Sequence, residues 1–146
     1  MTDFPRTGRL LGIDVGNVRM GLAVCDVEQR MASPLDQLQR KSPDQDASTF
    51  TKVVAQQQIV GLVVGLPFNM DGSIGPQAQK YQAYGQWLGV SVQRPVLFWD
   101  ERLTTVAAEE MLWDAGLTHK KRKERRDKLA ATLILQGYLD QRELLV

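Results

Sequence analysis

LLGIDVGNVRMGLAVCD, Leu10 to Asp26, is the stretch whose reading decides the fold. An apolar run ends at Asp14, Gly16-Asn17 supplies a turn, and Met20, Leu22 and Val24 then alternate along the chain. Period-two alternation is the signature of a strand, so the stretch reads as a hairpin whose first strand carries an acid at its end. An ionised carboxylate there loses hydration, and it usually has a cation, a hydrogen-bond donor or a metal beside it. Asp14 therefore needs a partner.

Outward from the hairpin, Ala32 to Leu38 adds a short third strand, which Pro34 confines to an edge or a strand start. Ser42-Pro43-Asp44-Gln45 reads as a helix start, with Ser42 as N-cap, Pro43 at the first helical position and Gln45 closing a capping box. Ala47, Phe50, Val53 and Val54 keep helical spacing behind it, to about Gln57. Ile59 to Leu66, IVGLVVGL, is apolar on both faces, as expected of a parallel strand covered by helices on both sides. Pro67 ends it, and Asp71-Gly72 supplies a tight turn. A second helix starts at Gly75-Pro76, places Tyr81, Tyr84 and Leu88 on one side and is expected to stop at Gly89. Pro95 to Trp99 is a further strand that runs directly into Asp100-Glu101-Arg102. Thr104-Thr105 can cap a third helix carrying Val106, Met111 and Leu112, with Gly116 as its stop. A last helix, roughly Arg125 to Gln141, puts Asp127 at the head of a face shared by Ala131, Ile134 and Tyr138. A hairpin followed by alternating helices and strands gives a mixed α/β sheet, antiparallel at its start and parallel afterwards.

A length of 146 residues with 43% hydrophobic content suits one domain, residues 1–146, with a core of its own. The single cysteine, Cys25, excludes a disulfide framework or a multi-cysteine zinc site. The longest apolar run, Ile59 to Phe68, is too short to span a bilayer, and the start MTDFPRTGR lacks an apolar h-region, so a cytoplasmic protein without a membrane partner is expected. Net charge is only +1, but its distribution is uneven. His119–Lys128 holds seven basic residues and two acids, against eleven basic and fifteen acidic residues elsewhere. Such a concentration suggests contact with a polyanion.

Asp14, the Asp100-Glu101 pair and Asp127 come from three separated elements, two of them at points where an apolar strand runs out. The carboxyl ends of strands are where α/β sheets assemble their sites. Each acid also has a plain structural reading: Asp14 bonding its own turn, Asp100 or Glu101 pairing with Arg102, Asp127 favouring a helix N-terminus. A shared site accounts for all three together. Oxygen-only ligation then points to Mg2+ or Mn2+, and two such ions can activate a water and stabilise a leaving oxygen in phosphodiester hydrolysis. Lys120, Lys121, Arg122, Lys123, Arg125 and Arg126 immediately precede Asp127, where a phosphate backbone held by them would pass the acids. Arg19, Arg102, Asn69 and Ser73 are further candidates for nucleic-acid contact. Gly16 and Gly21 would leave room for a phosphate backbone to approach.

Gly12-Ile-Asp-Val-Gly16 with Arg19-Met-Gly-Leu-Ala23, Val64-Gly-Leu-Pro67 with Asp71-Gly-Ser73, Asp100-Glu-Arg-Leu-Thr-Thr105, and Asp127 before Ala130-Ala131 and Leu135-Gln136 together resemble the YqgF family. The resemblance covers nearly the whole chain in order. It implies an RNase H-like fold, a five-stranded mixed sheet flanked by helices, and a metal-dependent nuclease site with acids at the first strand, the fourth strand and the last helix. Carried onto this chain these are Asp14, Glu101 and Asp127, with Asp100 in reserve, because successive strand side chains alternate faces and spacing does not say which of two adjacent acids points inward. The implied activity is processing of pre-16S ribosomal RNA, with ribosomal particles as possible partners. The alternatives are a Holliday junction resolvase acting on branched DNA, which a homodimer would favour over a monomer, and a non-catalytic RNA-binding assembly factor.

Overall fold

The computed structural model describes residues 4–103 and 119–144. Among them, five strands form one sheet: β1 (Arg9–Val15), β2 (Arg19–Cys25), β3 (Ala32–Gln39), β4 (Ile59–Leu66) and β5 (Val96–Asp100). Their spatial order is β3-β2-β1-β4-β5, so the strand ending near Asp14 is the middle one. β1 pairs antiparallel with β2 and β2 with β3, while β4 runs parallel to both β1 and β5. The expected mixed sheet, antiparallel first and parallel afterwards, is the one observed.

Strand alternation sorts the core into two layers. Leu11, Ile13 and Val15, with Met20, Leu22 and Val24 and with Leu62, Val64 and Leu66, face α1 (Pro43–Gln57) and α2 (Pro76–Val92) and bury Phe50, Val54, Tyr81 and Leu88 between them. The opposite face carries Leu10, Ala23, Cys25, Val63 and Trp99, and packs on Ala131, Ile134, Leu135 and Tyr138 of α3 (His119–Leu144). Gly12 lies under α3. A Cβ built there would stand 2.8 Å from Leu135 Cβ and 3.0 Å from the Ala131 carbonyl oxygen. Helix and strand thus meet almost backbone to backbone.

Local chemistry explains the element ends. Ser42 caps α1 in a complete capping box with Gln45, and Pro43 occupies the first turn. Pro34 sits on edge strand β3, at a register shift where a missing amide costs nothing. Two helix ends differ from the sequence reading. α2 continues past Gly89 to Val92 and ends on Gln93 in the left-handed region, φ 57°. Gly89 is not a stop: it is buried, and a side chain there would collide with Val96 of β5. α3 begins at His119, not Arg125, so the basic run belongs to the helix backbone and does not form a loop ahead of it. Lysine and arginine are good helix formers, and no Gly or Pro interrupts the run. The expected third helix, with Thr104, Thr105, Val106, Met111, Leu112 and Gly116, lies outside the described residues. Among the described residues no helix is long and apolar enough to cross a membrane.

Because neither Leu135 Cβ nor a main-chain carbonyl can swing aside, Gly12→Ala should lower unfolding free energy by about 1–3 kcal/mol. Urea denaturation measures this directly; an unchanged midpoint would mean that α3 sits farther from β1 than described.

Candidate active site

Alternation also decides which acid faces which layer. Asp14 follows Leu10 and Gly12 onto the α3 side of β1, and its cross-strand partner is Gly21 of β2. A Cβ at Gly21 would lie 3.7 Å from Asp14 Cβ and 3.5 Å from Ala131 Cβ, so Asp14 stands beside the helix seam. On β5, Leu97 and Trp99 belong to the α3 layer and Phe98 to the other. Continuing that alternation turns Asp100 away from α3 and Glu101 toward it.

The two adjacent acids accordingly have different surroundings. Asp100 is taken up by Arg102, whose main-chain N–H (2.9 Å) and Nε (3.0 Å) donate to Oδ1 and whose Nη2 donates to Oδ2 at 2.6 Å. That side-chain hydrogen bond holds the Asp100 carboxyl below its usual range. Glu101, the first residue of a 3-10 turn (Glu101–Leu103), is half-buried on the α3 side. Its Oε1 lies 2.8 Å from where a Cβ of Gly65 would be, and Ile134 fills the other side of the same gap. Burial, and after it the negative charges of Asp14 and Asp100, push the Glu101 carboxyl up to about 7. The resemblance placed this acid at the fourth strand. In the structure the fourth strand, β4, ends at Leu66, and Glu101 directly follows the fifth, β5, which ends at Asp100.

β4 lies between the strands that carry Asp14 and Glu101, and there it presents Gly65. The two acids therefore stand on either side of a strand position without a side chain. The negative charge of Asp14 is one of the causes that raise the Glu101 carboxyl, so the two acids are electrostatically coupled. An all-oxygen donor set at a side-chain-free gap fits a hard divalent cation such as Mg2+ or Mn2+. Asp127 is carried by the N-terminal part of α3; its side chain, with those of Lys120, Lys121, Arg122, Lys123, Arg125 and Arg126, lies outside the described ones.

The remaining candidates divide. Arg19 is exposed at the start of β2, opposite Gln39. Asn69, Ser73 and Arg102 are joined to one another through the loop after β4. Arg102 Nη1 donates to the carbonyls of Asn69 (2.9 Å) and Met70 (3.1 Å), Asn69 Nδ2 to Ser73 Oγ (3.0 Å), and Ser73 Oγ to Asp71 Oδ1 (2.6 Å). Arg102 thus ties this loop to the end of β5, one residue from Glu101. Gly16 answers to the hairpin: a Cβ there would collide with the Arg19 carbonyl. Sequence reasoning missed Gly65, although a glycine within an apolar strand is a recognised sign of close approach.

The RuvX family, described as Holliday junction resolvase, matches residues 8–141. The chain belongs to this family. RuvX is the family named YqgF above, so the resemblance read from the motifs holds, and the enzyme class with it, a nuclease. A protein of Rhodobacter capsulatus named "Putative pre-16S rRNA nuclease" is 46% identical over 145 residues, 97% of this chain and 91% of that protein. Relatives of the same name in Paracoccus denitrificans and Caldanaerobacter subterraneus are 46% and 44% identical, spanning 94% and 92% of this chain and 87% and 98% of theirs. Thermus thermophilus RuvC, solved in complex with a Holliday junction substrate, superposes with a TM-score of 0.57 at 18% identity, covering 92% of this chain and 95% of that one. It shares the fold, which is RNase H-like.

Because Glu101 keeps its proton up to about 7 instead of the ordinary 4.5, the folded chain binds more protons than the unfolded chain across that window. Stability from this group therefore falls as pH rises through it. Glu101→Gln should melt with the wild type at pH 4, melt progressively higher than the wild type as pH rises, and hold a constant lead above about pH 7. Thermal melts in chelator-treated buffer check this, and a pH-independent difference would refute it.

Proposed function

We propose that this RuvX-family nuclease is a divalent-metal-dependent endonuclease that hydrolyses phosphodiester bonds in structured RNA, with precursor 16S rRNA as its substrate, in the cytoplasm. One observation carries the reading: Glu101, half-buried and proton-retaining, faces the charge of Asp14 across Gly65, at the carboxyl ends of parallel strands. The names of the relatives support the substrate.

In this reading Asp14 and Glu101 are metal ligands, with Asp127 from α3 as the third acid and Asp100 excluded by its bonds to Arg102. These carboxylates would hold a Mg2+ or Mn2+ ion, which when bound would supply an activated water and charge to stabilise a leaving oxygen in phosphodiester hydrolysis. Gly65 and Gly21 leave the sheet surface low enough for a phosphate to approach the carboxylates. Arg102 fixes the loop after β4 beside them, and Lys120, Lys121, Arg122, Lys123, Arg125 and Arg126 hold the substrate backbone. Glu101 gives up its proton when a cation binds, so ion binding strengthens as pH rises toward 7 and then levels.

The family's description favours a second reading, cleavage of four-way DNA junctions. Paired nicks need two sites related by a two-fold axis, so this reading requires a homodimer. Asp14→Asn should abolish Mn2+-dependent cleavage of a precursor 16S rRNA fragment while leaving the melting curve within a few degrees of wild type. Full cleavage by a folded Asp14→Asn protein contradicts the metal-site reading. Cleavage of a synthetic junction by a dimer, with the RNA left intact, selects the DNA reading instead.

A further inference from the structure

The turn that follows Asp14 is gripped from the layer opposite the acids. Arg40, between β3 and α1, donates from Nη1 to the Gly16 carbonyl at 3.0 Å and from its main-chain N–H to the Val18 carbonyl at 2.8 Å. Its guanidinium lies over the Tyr84 ring, 4.4 Å from the centroid. Tyr84 in turn donates its hydroxyl to Asp46 Oδ2 at 3.3 Å, and the other oxygen of this buried carboxylate accepts the Lys41 N–H at 3.0 Å. Burial and the Asp46 charge keep the Tyr84 hydroxyl protonated, pushed up to about 12, so it remains a donor at any working pH. A second strut reaches the same turn from α2, where Tyr81 donates to Asn17 Oδ1 at 3.4 Å.

We infer that Arg40 is a positioning residue for the acid site: through the Gly16 and Val18 carbonyls it fixes the β1–β2 turn, and with it the carboxylate of Asp14, against α1 and α2. The inference rests on the reading of Asp14 given above. Its basis is geometric. Gly16 is two residues from Asp14 and, having no side chain, can be held from outside the turn only through its main chain, so stiffness added there comes through bonds to its backbone. Arg40 supplies that stiffness with a planar group stacked on one side and bonded on the other, which a lysine does not reproduce. Arg40 lies in the layer opposite Asp14's side chain, so replacing it neither adds nor removes a ligand.

The test compares Arg40→Ala, Arg40→Lys and Asp14→Asn with wild type, well below their melting temperatures, in Mn2+ titration calorimetry and in steady-state cleavage. Groups that orient metal ligands change affinity or activity by about 10–100-fold. Arg40→Ala should therefore weaken Mn2+ binding and lower kcat by about tenfold, at the lower edge of that range, with KM within about twofold. Arg40→Lys should fall between it and wild type, and if the alanine variant does not fold, the lysine variant is read in its place. A purely structural role would lower the melting temperature and leave the Mn2+ affinity and kcat of the folded variant at wild-type values, which overturns the inference. Asp14→Asn separates the two readings. If it still cleaves, the reading of Asp14 fails and the Arg40 assignment with it; if it is inactive while Arg40→Ala behaves as wild type, only the Arg40 assignment fails.

Discussion

How closely α3 lies on the sheet governs everything around the acids. Gly12, Gly21 and Gly65 all face this helix: at Gly12 and Gly65, Leu135 and Ile134 stand where a Cβ would go, and at Gly21 Ala131 lies at van der Waals distance from that position. Packing of this kind trades the conformational freedom of Gly12 and Gly65 against dense contact between a helix and the middle of a sheet. The seam has a chemical consequence at its open end. Where the glycines continue past the last apolar contacts, Asp14 and Glu101 stand at a low part of the surface, half-buried, each within electrostatic reach of the other. The same closeness that seats the helix creates the desolvation that raises Glu101.

Two layers then divide the labour. The α3 layer carries the acids and the helix whose first turns hold the basic run. The α1/α2 layer carries none of the acids proposed as ligands, yet it contains the contacts that hold the turn after Asp14: Arg40 on Gly16 and Val18, Tyr81 on Asn17. Arg102 plays a comparable part on the other side, binding the loop after β4 to the end of β5 through Asp100. Both acids sit at strand ends whose neighbouring loops are tied down by an arginine to a carbonyl oxygen. Rigid placement of this kind is what a site built on strand termini requires.

Much of this was legible in the sequence. Strand periodicity gave the hairpin, the capping box gave α1 to within a residue, and the doubly apolar run gave β4 as an interior strand. The motifs gave the RNase H-like fold and the family. What stayed hidden had physical causes. Both faces of β5 are apolar, so the pattern could not say whether Asp100 or Glu101 faces α3; the alternation becomes readable only when Leu97 and Trp99 are seen against the helix. Gly89 looks like a helix stop in one dimension, and only β5 pressing on it reveals a packing glycine. The start of the last helix is ambiguous in sequence because a run of like charges suits a solvated loop as well as a helix, and only the fold shows the helix beginning at His119. The role of Arg40 is not legible in sequence, because a hydrogen bond to a main-chain carbonyl in a distant turn leaves no pattern in the residues.

Anomalous diffraction from a crystal soaked in Mn2+ tests most directly whether Asp14 and Glu101 are two parts of one metal site. The predicted result is an anomalous peak bounded by both carboxylates above Gly65, lost in Asp14→Asn. A peak confined to other acids, or none at these two in a crystal saturated with Mn2+, would contradict it.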